Sequence, residues 1–315
     1  MKHRIFVDGS EGTTGLKIFD RFKDRDDIEI LSIDSDKRKD ISERKRLIND
    51  SDVAFLCLPD EAARESVSVV ENEKVIIIDT STAHRTQKGW AYGLPELSKE
   101  HRRIITNGKR IAVPGCHATG FISLIYPLVK EGIMPADYPL TIGSVSGYSG
   151  AGKSMIAEYE KENRNKDLDA PRLYALKQTH KHLPEMTQVC GLSHEPIFNP
   201  IIADYFQGMV VSIPIYVKQL QKQLNVEELI SFYQEYYAGA KLIKVMPADD
   251  AELNSNFICC NSMAGRDDFK IYIAGNNERI VLYAQFDNLG KGASGAAVQC
   301  MNIALGYDED KGLNI

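Results

Sequence analysis

The sequence predicts two domains, an α/β domain with a doubly wound parallel sheet and an α+β domain with a mostly antiparallel sheet. Strand and helix patterns alternate up to about residue 115, and strands separated by helices in this way form parallel sheets. Longer strand patterns dominate after Leu140. The chain of 315 residues, 43% of them hydrophobic, is long enough for two sizeable cores.

The first domain alternates five strands with amphipathic helices. Strands are expected at His3–Gly9, Ile28–Asp34, Val53–Pro59, Lys74–Thr80 and Arg110–Pro114. Helices are expected between the first four strands, at Thr13–Arg25, Ser42–Asn49 and Asp60–Glu71.

The second domain is expected to contain four strands, at Leu140–Gly147, Ile201–Val217, Phe269–Gly275 and Arg279–Phe286. Helix patterns lie between them at Lys153–Asn163 and Val226–Ala240. An apolar helix pattern over Gly292–Gly306 ends the chain.

Composition excludes several classes of protein. The net charge is −6 and there is no long basic run, so a nucleic-acid or anionic-membrane partner is not expected. The N-terminus reads as a strand instead of a signal peptide, and no stretch is long enough to span a membrane. The six scattered cysteines form no C-x-x-C pair, which favours the reducing cytoplasm, and all but Cys116 are expected to fill the core.

Cys116 is the first candidate for chemistry. It lies in Val113-Pro114-Gly115-Cys116-His117, where a strand pattern ends and an amphipathic helix pattern begins. Unpaired N–H groups and the dipole at a helix N-terminus stabilise an anion, so a thiol there ionises readily and can act as a nucleophile. The alternative is a small cysteine that fills a strand–helix junction.

A glycine motif, Gly9-Ser10-Glu11-Gly12-Thr13-Thr14-Gly15, follows the first strand and opens the first helix. Its glycines permit a tight turn and let a pyrophosphate approach the N–H groups of the helix, so the motif predicts dinucleotide binding. The residues at the end of the second strand do not decide between NAD and NADP. Asp34 favours the ribose hydroxyl of NAD, whereas Ser35, Lys37 and Arg38 could hold the 2′-phosphate of NADP.

A second polar cluster is His180-Lys181-His182-Leu183-Pro184-Glu185. Histidine transfers protons near neutral pH, and Glu185 could orient one of the two imidazoles. Histidines two apart on an extended segment point the same way and could bind a metal, but no third ligand has suitable spacing, so no metal is expected. Surface histidines ahead of a helix are the remaining alternative.

Two further motifs are rich in small residues. Gly147–Ser154 matches the P-loop pattern, but it follows Cys116 into the second domain, so a loop that meets an anionic substrate through Lys153 is favoured over nucleotide hydrolysis. Asp287–Ala297 ends a strand and opens the last helix. Its small residues allow the backbone to approach another domain or a cofactor, or allow close helix packing.

Six motifs in this order resemble the family of N-acetyl-gamma-glutamyl-phosphate reductases, in its shorter subtype. The motifs are Gly9…Gly12…Gly15, Asp79–Arg85, Pro114–Thr119, Ser146–Lys153, His180–Glu185 and Asn288–Ala293. The family is similar in fold to aspartate-semialdehyde dehydrogenase. The resemblance implies a Rossmann domain (1–115 with 288–315) and a glyceraldehyde-3-phosphate-dehydrogenase-like catalytic and oligomerisation domain (116–287).

The resemblance implies reduction of N-acetyl-glutamyl 5-phosphate by NADPH, through a thioester on Cys116, in arginine biosynthesis. It assigns catalysis to Cys116, His180 and Glu185, with His182 as the second choice for the acid/base. Substrate contacts are expected from Arg85, Ser149, Gly150, Lys153 and His182. Cofactor contacts are expected from Gly9, Ser10, Gly12, Thr13, Thr14, Gly15, Ser35, Lys37, Arg38, Pro59, Ser81, Asn288 and Gly290.

The expected partners are a small acyl-phosphate substrate and further copies of the chain, as a homodimer or homotetramer. Three other functions stay open. A related enzyme could reduce another acyl phosphate, such as aspartyl phosphate, because side-chain length is decided by pocket shape. A dinucleotide-sensing protein would keep the glycine turn without needing Cys116, His180 and Lys153 together. A P-loop hydrolase would place Gly147–Ser154 after a strand of a parallel sheet.

Overall fold

A computed structural model describes residues 2–315, which fold as two compact units. The first unit comprises Met1–Gly115 with Ala293–Leu313, and the second comprises Cys116–Gly292 with Asn314–Ile315. The segment Asn288–Gly292, which the resemblance assigns to the first domain, therefore belongs to the second unit.

The first unit is built on a six-stranded sheet in which every neighbouring pair of strands is parallel, in the order β2-β1-β3-β4-β6-β5. The strands are β1 (His3–Asp8), β2 (Ile28–Leu31), β3 (Val53–Leu56), β4 (Ile76–Asp79), β5 (Ala91–Tyr92) and β6 (Arg110–Ala112). The helices are α1 (Thr13–Phe22), α2 (Ile41–Asp50), α3 (Asp60–Ser68) and α4 (Lys99–Asn107), together with the last helix, Gly295–Leu305.

Side chains alternate between two apolar clusters along β1. Ile5 and Val7 join the cluster that contains Met301 of the last helix, whereas Phe6 joins the cluster that contains Leu47 of α2. Because both faces of the sheet are covered, the central strands β3 and β4 are buried along their whole length. The predicted doubly wound parallel sheet is confirmed.

The second unit contains a mixed seven-stranded sheet with the order β11-β12-β13-β10-β7-β9-β8, in which four of the six pairings are antiparallel. Its strands are β7 (Thr141–Gly147), β8 (Arg172–Leu173), β9 (Ile197–Ala203), β10 (Met209–Tyr216), β11 (Ile243–Val245), β12 (Phe269–Gly275) and β13 (Arg279–Phe286). Its helices are α5 (Cys116–Lys130), α6 (Lys153–Tyr159), α7 (Leu183–Cys190), α8 (Val226–Tyr236) and α9 (Ala251–Asn254).

Two sequence predictions for the second unit are wrong. The single strand expected at Ile201–Val217 is two strands, β9 and β10, because the intervening turn ends at Gly208 with φ = +109°. β9 runs parallel to β7, whereas β10 runs antiparallel to it. Cys259, expected in the core, is exposed.

Several short elements have no counterpart among the predictions. Two of the strands, β5 and β8, have only two residues each, which leaves no periodicity to detect. Helix α7 begins inside the histidine cluster and ends at Cys190, and the sequence indicated it only as the helix behind the alternative of surface histidines. The remaining unpredicted elements are α4, α9 and β11.

A proline inside α5 leaves one backbone carbonyl without its helical donor, and a tyrosine hydroxyl donates to that carbonyl instead. Pro127 has no N–H to donate to the Ser123 carbonyl one turn earlier, which would leave a buried acceptor unpaired. The Tyr237 hydroxyl donates to that carbonyl at 2.7 Å. The Tyr233 hydroxyl of α8 donates to the neighbouring Leu124 carbonyl. These contacts fix the helix that begins with Cys116 against α8 and the residue just after it.

Replacing Tyr237 by Phe tests this contact. The change removes the donor to the Ser123 carbonyl and leaves the rest of the ring, so it should lower the free energy of unfolding by about 1–3 kcal/mol. Urea denaturation measures the loss. Tyr216→Phe is the matched control, because Tyr216 is half exposed and should tolerate the change. Equal stability of the Tyr237→Phe variant and the wild type would contradict the assignment.

Candidate active site

The glycine turn at the end of β1 has the shape that a pyrophosphate requires. Gly9 has φ = +80°, and a Cβ there would clash with the Cys57 carbonyl oxygen, so this position needs glycine. Gly12 is the N-cap of α1, and no side chain caps the helix. The N–H groups of the first turn therefore remain available to an anion, and the residues fit a dinucleotide.

The position of the turn in the sheet supports the same use. The strand order reverses at β1, which lies between β2 and β3. Ligands of doubly wound sheets bind at the carboxyl ends of the strands where the order reverses. Asp8, the last residue of β1, is buried and accepts a hydrogen bond from Arg44 of α2 at 3.0 Å. Burial raises the pKa of Asp8 despite the lowering effect of Arg44.

The basic residues after β2 lie near the glycine turn. Arg38 forms an ion pair with Glu11, which belongs to the turn. Lys37 lies 3.5 Å from Asp34, and the Asp34 side chain is largely exposed. The Arg38 guanidinium is therefore held beside the glycine turn, and Lys37 precedes it in the chain.

The segment after β4 is tied together by a buried carboxylate. Asp79 is fully buried and accepts hydrogen bonds from the Ser81 hydroxyl at 2.7 Å and the Ser81 N–H at 2.9 Å. His84 Nδ1 lies 2.6 Å from the same carboxylate, and its ring stacks on Trp90. Ser81 was expected to bind cofactor, whereas the Asp79–His84 pair was missed.

Arg85 holds two backbone segments in the first unit. Its Nε donates to the Val113 carbonyl at 2.9 Å and its Nη2 donates to the Thr80 carbonyl at 3.0 Å. Val113 lies three residues before Cys116, so Arg85 fixes the segment that leads to the thiol. Pro59, another expected cofactor contact, is the N-cap of α3.

Cys116 is the first residue of α5, as the sequence predicts. The backbone of Gly292 packs against it, because a Cβ at Gly292 would lie 2.9 Å from the Cys116 Cβ. Gly292 belongs to a π-helical turn, Gly290–Ser294, that precedes the last helix. Sequence reasoning identified this motif as a site of close backbone approach, but it did not identify Cys116 as the neighbour.

His117 is buried beside Cys116 and bridges two hydroxyl groups. Its Nδ1 lies 2.7 Å from the Ser144 Oγ of β7, and its Nε2 lies 2.7 Å from the Tyr174 hydroxyl. Burial, the larger cause, and the nearby His180 lower the pKa of His117 to about 3. The ring is therefore neutral at physiological pH. Sequence reasoning missed all three residues, although His117 lies inside a motif that it quoted.

The predicted histidine pair meets at His117. The centroids of the His180 and His182 rings lie 5.6 and 5.5 Å from that of His117, and 4.6 Å from each other, with His180 and His182 edge to face. The segment is a turn, so the two imidazoles are not parallel as an extended segment would make them. The His182 N–H donates to His180 Nδ1 at 3.2 Å, which ties the His180 ring to the residue that precedes α7.

Glu185 lies in the first turn of α7 and is buried. His182, the N-cap of the same helix, is also buried, whereas His180 is partly exposed. The cluster thus combines one accessible imidazole with a buried imidazole and a buried carboxyl group within six residues.

The P-loop-like segment does not form a phosphate cradle of the P-loop type. The N–H groups of Tyr148 and Ser149 donate to the carbonyls of Tyr205 and Phe206, each at 3.0 Å. The preceding strand, β7, belongs to the mixed sheet. Lys153 begins the short helix α6 and is exposed.

Asn288 connects the predicted substrate loop to a neighbouring turn. Its amide nitrogen donates to the Ser149 hydroxyl at 3.0 Å, and its oxygen accepts from the Gly208 N–H at 2.8 Å. A Cβ at Gly150 would lie 3.2 Å from the same amide, and one at Gly290 would clash with the Arg266 carbonyl. Asn288 and Gly290 thus have structural contacts inside the second unit.

Within residues 2–315, no group of three or more His, Cys, Asp and Glu side chains is arranged to hold a metal ion. No helix in the same range is both long enough and apolar enough to cross a membrane.

Comparisons with known proteins identify the family. Residues 4–105 match the family described as semialdehyde dehydrogenase, NAD binding domain, and residues 116–288 match semialdehyde dehydrogenase, dimerisation domain. An N-acetyl-gamma-glutamyl-phosphate reductase 2 from Nostoc sp. is 45% identical over 320 residues, which cover 99% of each chain. The chain belongs to the N-acetyl-gamma-glutamyl-phosphate reductase family.

Other relatives agree with this family. A reductase of the same name from Pseudomonas putida is 44% identical to the chain and covers 96% of it, with 96% of the relative aligned. Aspartate semialdehyde dehydrogenase II from Vibrio cholerae has a similar structure, with a TM-score of 0.70, 14% identity and coverage of 97% of this chain and 98% of that one. At 14% identity this structural similarity supports the fold of the chain alone.

Acidification should destabilise the protein through His117. The unfolded chain binds a proton at about pH 6.5 that the folded His117, with a pKa of about 3, does not bind. The free energy of unfolding should therefore fall as the pH is lowered between these two values. Urea denaturation at several pH values should show a shallower decline for His117→Gln. The exposed His194→Gln is the control, and an unchanged slope for His117→Gln would contradict the prediction.

Proposed function

We propose that this protein catalyses the NADPH-dependent reduction of N-acetyl-L-glutamyl 5-phosphate to N-acetyl-L-glutamate 5-semialdehyde, with release of phosphate, in arginine biosynthesis. The observation that carries the proposal is the placement of Cys116 at the start of α5, beside a cluster of three histidines, in a chain of this reductase family. The nicotinamide dinucleotide is expected in the first unit, where the glycine turn fits its pyrophosphate.

Cys116 is the nucleophile of the proposed reaction. Its sulfur bonds to the carbonyl carbon of the acyl phosphate, the bond from that carbon to the phosphate oxygen breaks, and phosphate leaves. A thioester on Cys116 remains. When bound, the cofactor supplies the hydride that reduces this acyl group. The oxyanion that remains takes a proton from His180 to form a thiohemiacetal. It returns that proton to His180 as its carbon–sulfur bond breaks, and the aldehyde leaves with Cys116 restored as the thiolate.

His180 is the proposed acid/base, and its Nε2 is the atom that transfers the proton at the substrate oxygen. Its Nδ1 accepts a hydrogen bond from the His182 N–H at 3.2 Å, which orients the ring, and its side chain is partly exposed. His182 is buried and caps α7, which favours a substrate-positioning role. Glu185 is proposed to orient the imidazoles from the first turn of α7.

The substrate phosphate needs cations and N–H donors. Lys153 is exposed at the start of α6 and is the proposed principal contact, with Ser149 and Gly150 in the loop before it. Arg85 is proposed as a further substrate contact, and two of its nitrogens also donate hydrogen bonds to backbone carbonyls. His182 completes the proposed substrate set.

NADP is the proposed form of the cofactor. Lys37 and Arg38 follow β2, and the ion pair of Arg38 with Glu11 holds the guanidinium beside the glycine turn. A cation at this position favours a 2′-phosphate. Ser10, Thr13, Thr14 and Ser35 are proposed to donate hydrogen bonds from the same region.

Two copies of the chain are proposed to associate through the second unit, in the cytoplasm. The family match over residues 116–288 is to a dimerisation domain. In the last four residues of β10, Pro214 and Tyr216 are exposed while Ile213 and Ile215 are buried. A sheet face with exposed apolar side chains is typical of an interface between subunits.

Replacing Cys116 by Ser tests the proposed reaction. An alcohol ionises far less readily than a thiol, so turnover should fall by at least about 10³-fold while the melting temperature stays near that of the wild type. The assay runs in reverse, with N-acetylglutamate semialdehyde, phosphate and NADP. Aspartate semialdehyde is the competing substrate. Near-wild-type activity of Cys116→Ser, or a preference for aspartate semialdehyde, would contradict the proposal.

Replacing Lys37 and Arg38 together by Ala tests the cofactor. Charge-assisted hydrogen bonds contribute about 1.5–3 kcal/mol each, so KM for NADP should rise by at least about 10-fold while KM for NAD changes little. Lys17→Ala, on the same domain but in α1, is the control. An equal loss for both cofactors, or a wild-type preference for NAD, would overturn the assignment.

Sedimentation equilibrium tests the association. The wild-type chain should sediment as a dimer or a tetramer, and Tyr216→Lys should dissociate it by placing a charge at an apolar contact. Lys218→Glu, just beyond β10, is the control for charge alone. A wild-type monomer at micromolar concentration would contradict the proposed interface.

A further inference from the structure

We propose that Gln178 is a positioning residue for His180, because its side-chain amide completes the edge of the second sheet next to the histidine. The inference rests on the acid/base role proposed for His180. The Gln178 Nε2 donates to the Phe198 carbonyl at 2.8 Å, and the Phe198 N–H donates to the Gln178 Oε1 at 2.8 Å. One side chain therefore pairs with both backbone groups of a residue in β9, as a residue of a neighbouring strand would.

Strand β9 has an edge that its short neighbour cannot cover. It lies between β7 and the two-residue strand β8. The Ile197 N–H donates to the Leu140 carbonyl on the β7 side, at 2.9 Å. Because backbone groups of successive residues in a strand face opposite neighbours, those of Phe198, Pro200 and Ile202 face β8.

Gln178 takes the place of backbone where β8 ends. Beyond the paired residues of β8, the Tyr174 N–H still donates to the Pro200 carbonyl, at 3.2 Å. The chain then turns away from β9 through Ala175, with φ = +52°, and Gln178, with φ = +56°. The next residue of β9 that faces this edge is Phe198, and the amide of Gln178 pairs with it.

The turn that presents this amide has an unfavourable backbone conformation. In the described range 2–315, three residues other than glycine have positive φ, and two of them are Ala175 and Gln178. A left-handed conformation costs free energy in a residue that has a Cβ, so it persists where other contacts hold it. The Gln178 N–H donates to the Ala175 carbonyl at 3.0 Å, and the side-chain amide adds its two bonds to β9.

Phe198 passes this constraint to the histidines. Its side chain is buried, and its ring packs edge to face against His180 at 5.0 Å and against His117 at 5.2 Å between centroids. Gln178 also lies only two residues before His180 in the chain. The amide therefore acts on the position of His180 in two ways, through the connecting backbone and through the aromatic ring that packs against the imidazole.

Replacing Gln178 by Glu tests the amide at nearly constant shape. An ionised carboxylate accepts from the Phe198 N–H but cannot donate to the Phe198 carbonyl, whereas the protonated acid does both. In the reverse reaction at pH 8, with N-acetylglutamate semialdehyde, phosphate and NADP, kcat should fall by about 10-fold while KM for NADP changes little.

The pH dependence of this variant identifies the hydrogen bond. The usual pKa of a glutamate, about 4.3, is raised where the neutral form alone can donate to a carbonyl. The ratio of kcat in Gln178→Glu to kcat in the wild type should therefore rise by at least about twofold as the pH is lowered from 8 to 5. Lys177 and His180 are intact in both proteins, so their own titration is common to both.

Replacing Gln178 by Gly separates the amide from the backbone conformation. Glycine adopts positive φ without strain but has no amide. Its kcat should fall at least as far as that of Gln178→Glu, and its ratio to the wild type should not rise on acidification. Hydrogen-exchange mass spectrometry without substrate should show faster deuterium uptake in a peptide that contains Phe198, because the Phe198 N–H loses its acceptor.

Gln188→Glu is the matched control. Gln188 is an exposed residue of α7, and the substitution makes the same change of charge. Its kcat should stay within about twofold of the wild-type value, with a ratio that does not change with pH.

Three results would overturn the positioning role. They are wild-type kcat in Gln178→Gly, unchanged deuterium uptake at Phe198 in the same variant, and a ratio for Gln178→Glu that is as flat as that of Gln188→Glu. Failure of the proposed function has a different signature, namely full activity in His180→Asn, where Gln178 is intact. The deuterium uptake does not depend on catalysis.

Discussion

The first turn of α5 places the Cys116 thiol next to the buried His117 imidazole in the chain. The hydrogen-bond partners of the imidazole come from other elements of the second unit. His117 is buried, so both of its ring nitrogens need partners, and β7 and the segment after β8 supply one hydroxyl each. Because these partners come from different elements, the position of α5 is fixed by polar contacts as well as by packing. The precision of the site follows from this constraint.

Close backbone packing completes the arrangement around the thiol. Gly292 leaves no space for a side chain beside Cys116, and the turn that carries it is a π-helical turn, a feature frequent at functional sites. In the middle of α5, the Tyr237 hydroxyl donates to the Ser123 carbonyl, which Pro127 leaves without a donor. Separate contacts therefore hold the start and the middle of the helix that carries the thiol.

In the proposed cofactor site of the first unit, the glycine turn itself contains no lysine or arginine, so backbone N–H groups are the donors there. The glycines bring N–H groups of α1 to the surface, while Asp8 and Arg44 compensate each other below the turn. Arg38 and Lys37 supply positive charge from the segment after β2. Backbone dipoles and side-chain charges therefore have separate roles in the proposed cofactor site.

The sequence by itself determined the features that depend on residues close to each other along the chain. Local patterns of residues predict three such features: the glycine turn after β1, the parallel sheet, and the position of the thiol at the start of α5. The division of Ile201–Val217 into β9 and β10 was not, because both halves are equally apolar. The tertiary structure alone joined His117 to Ser144 and Tyr174, which lie 27 and 57 residues away, since hydrogen bonds between distant segments leave no periodic trace in the sequence.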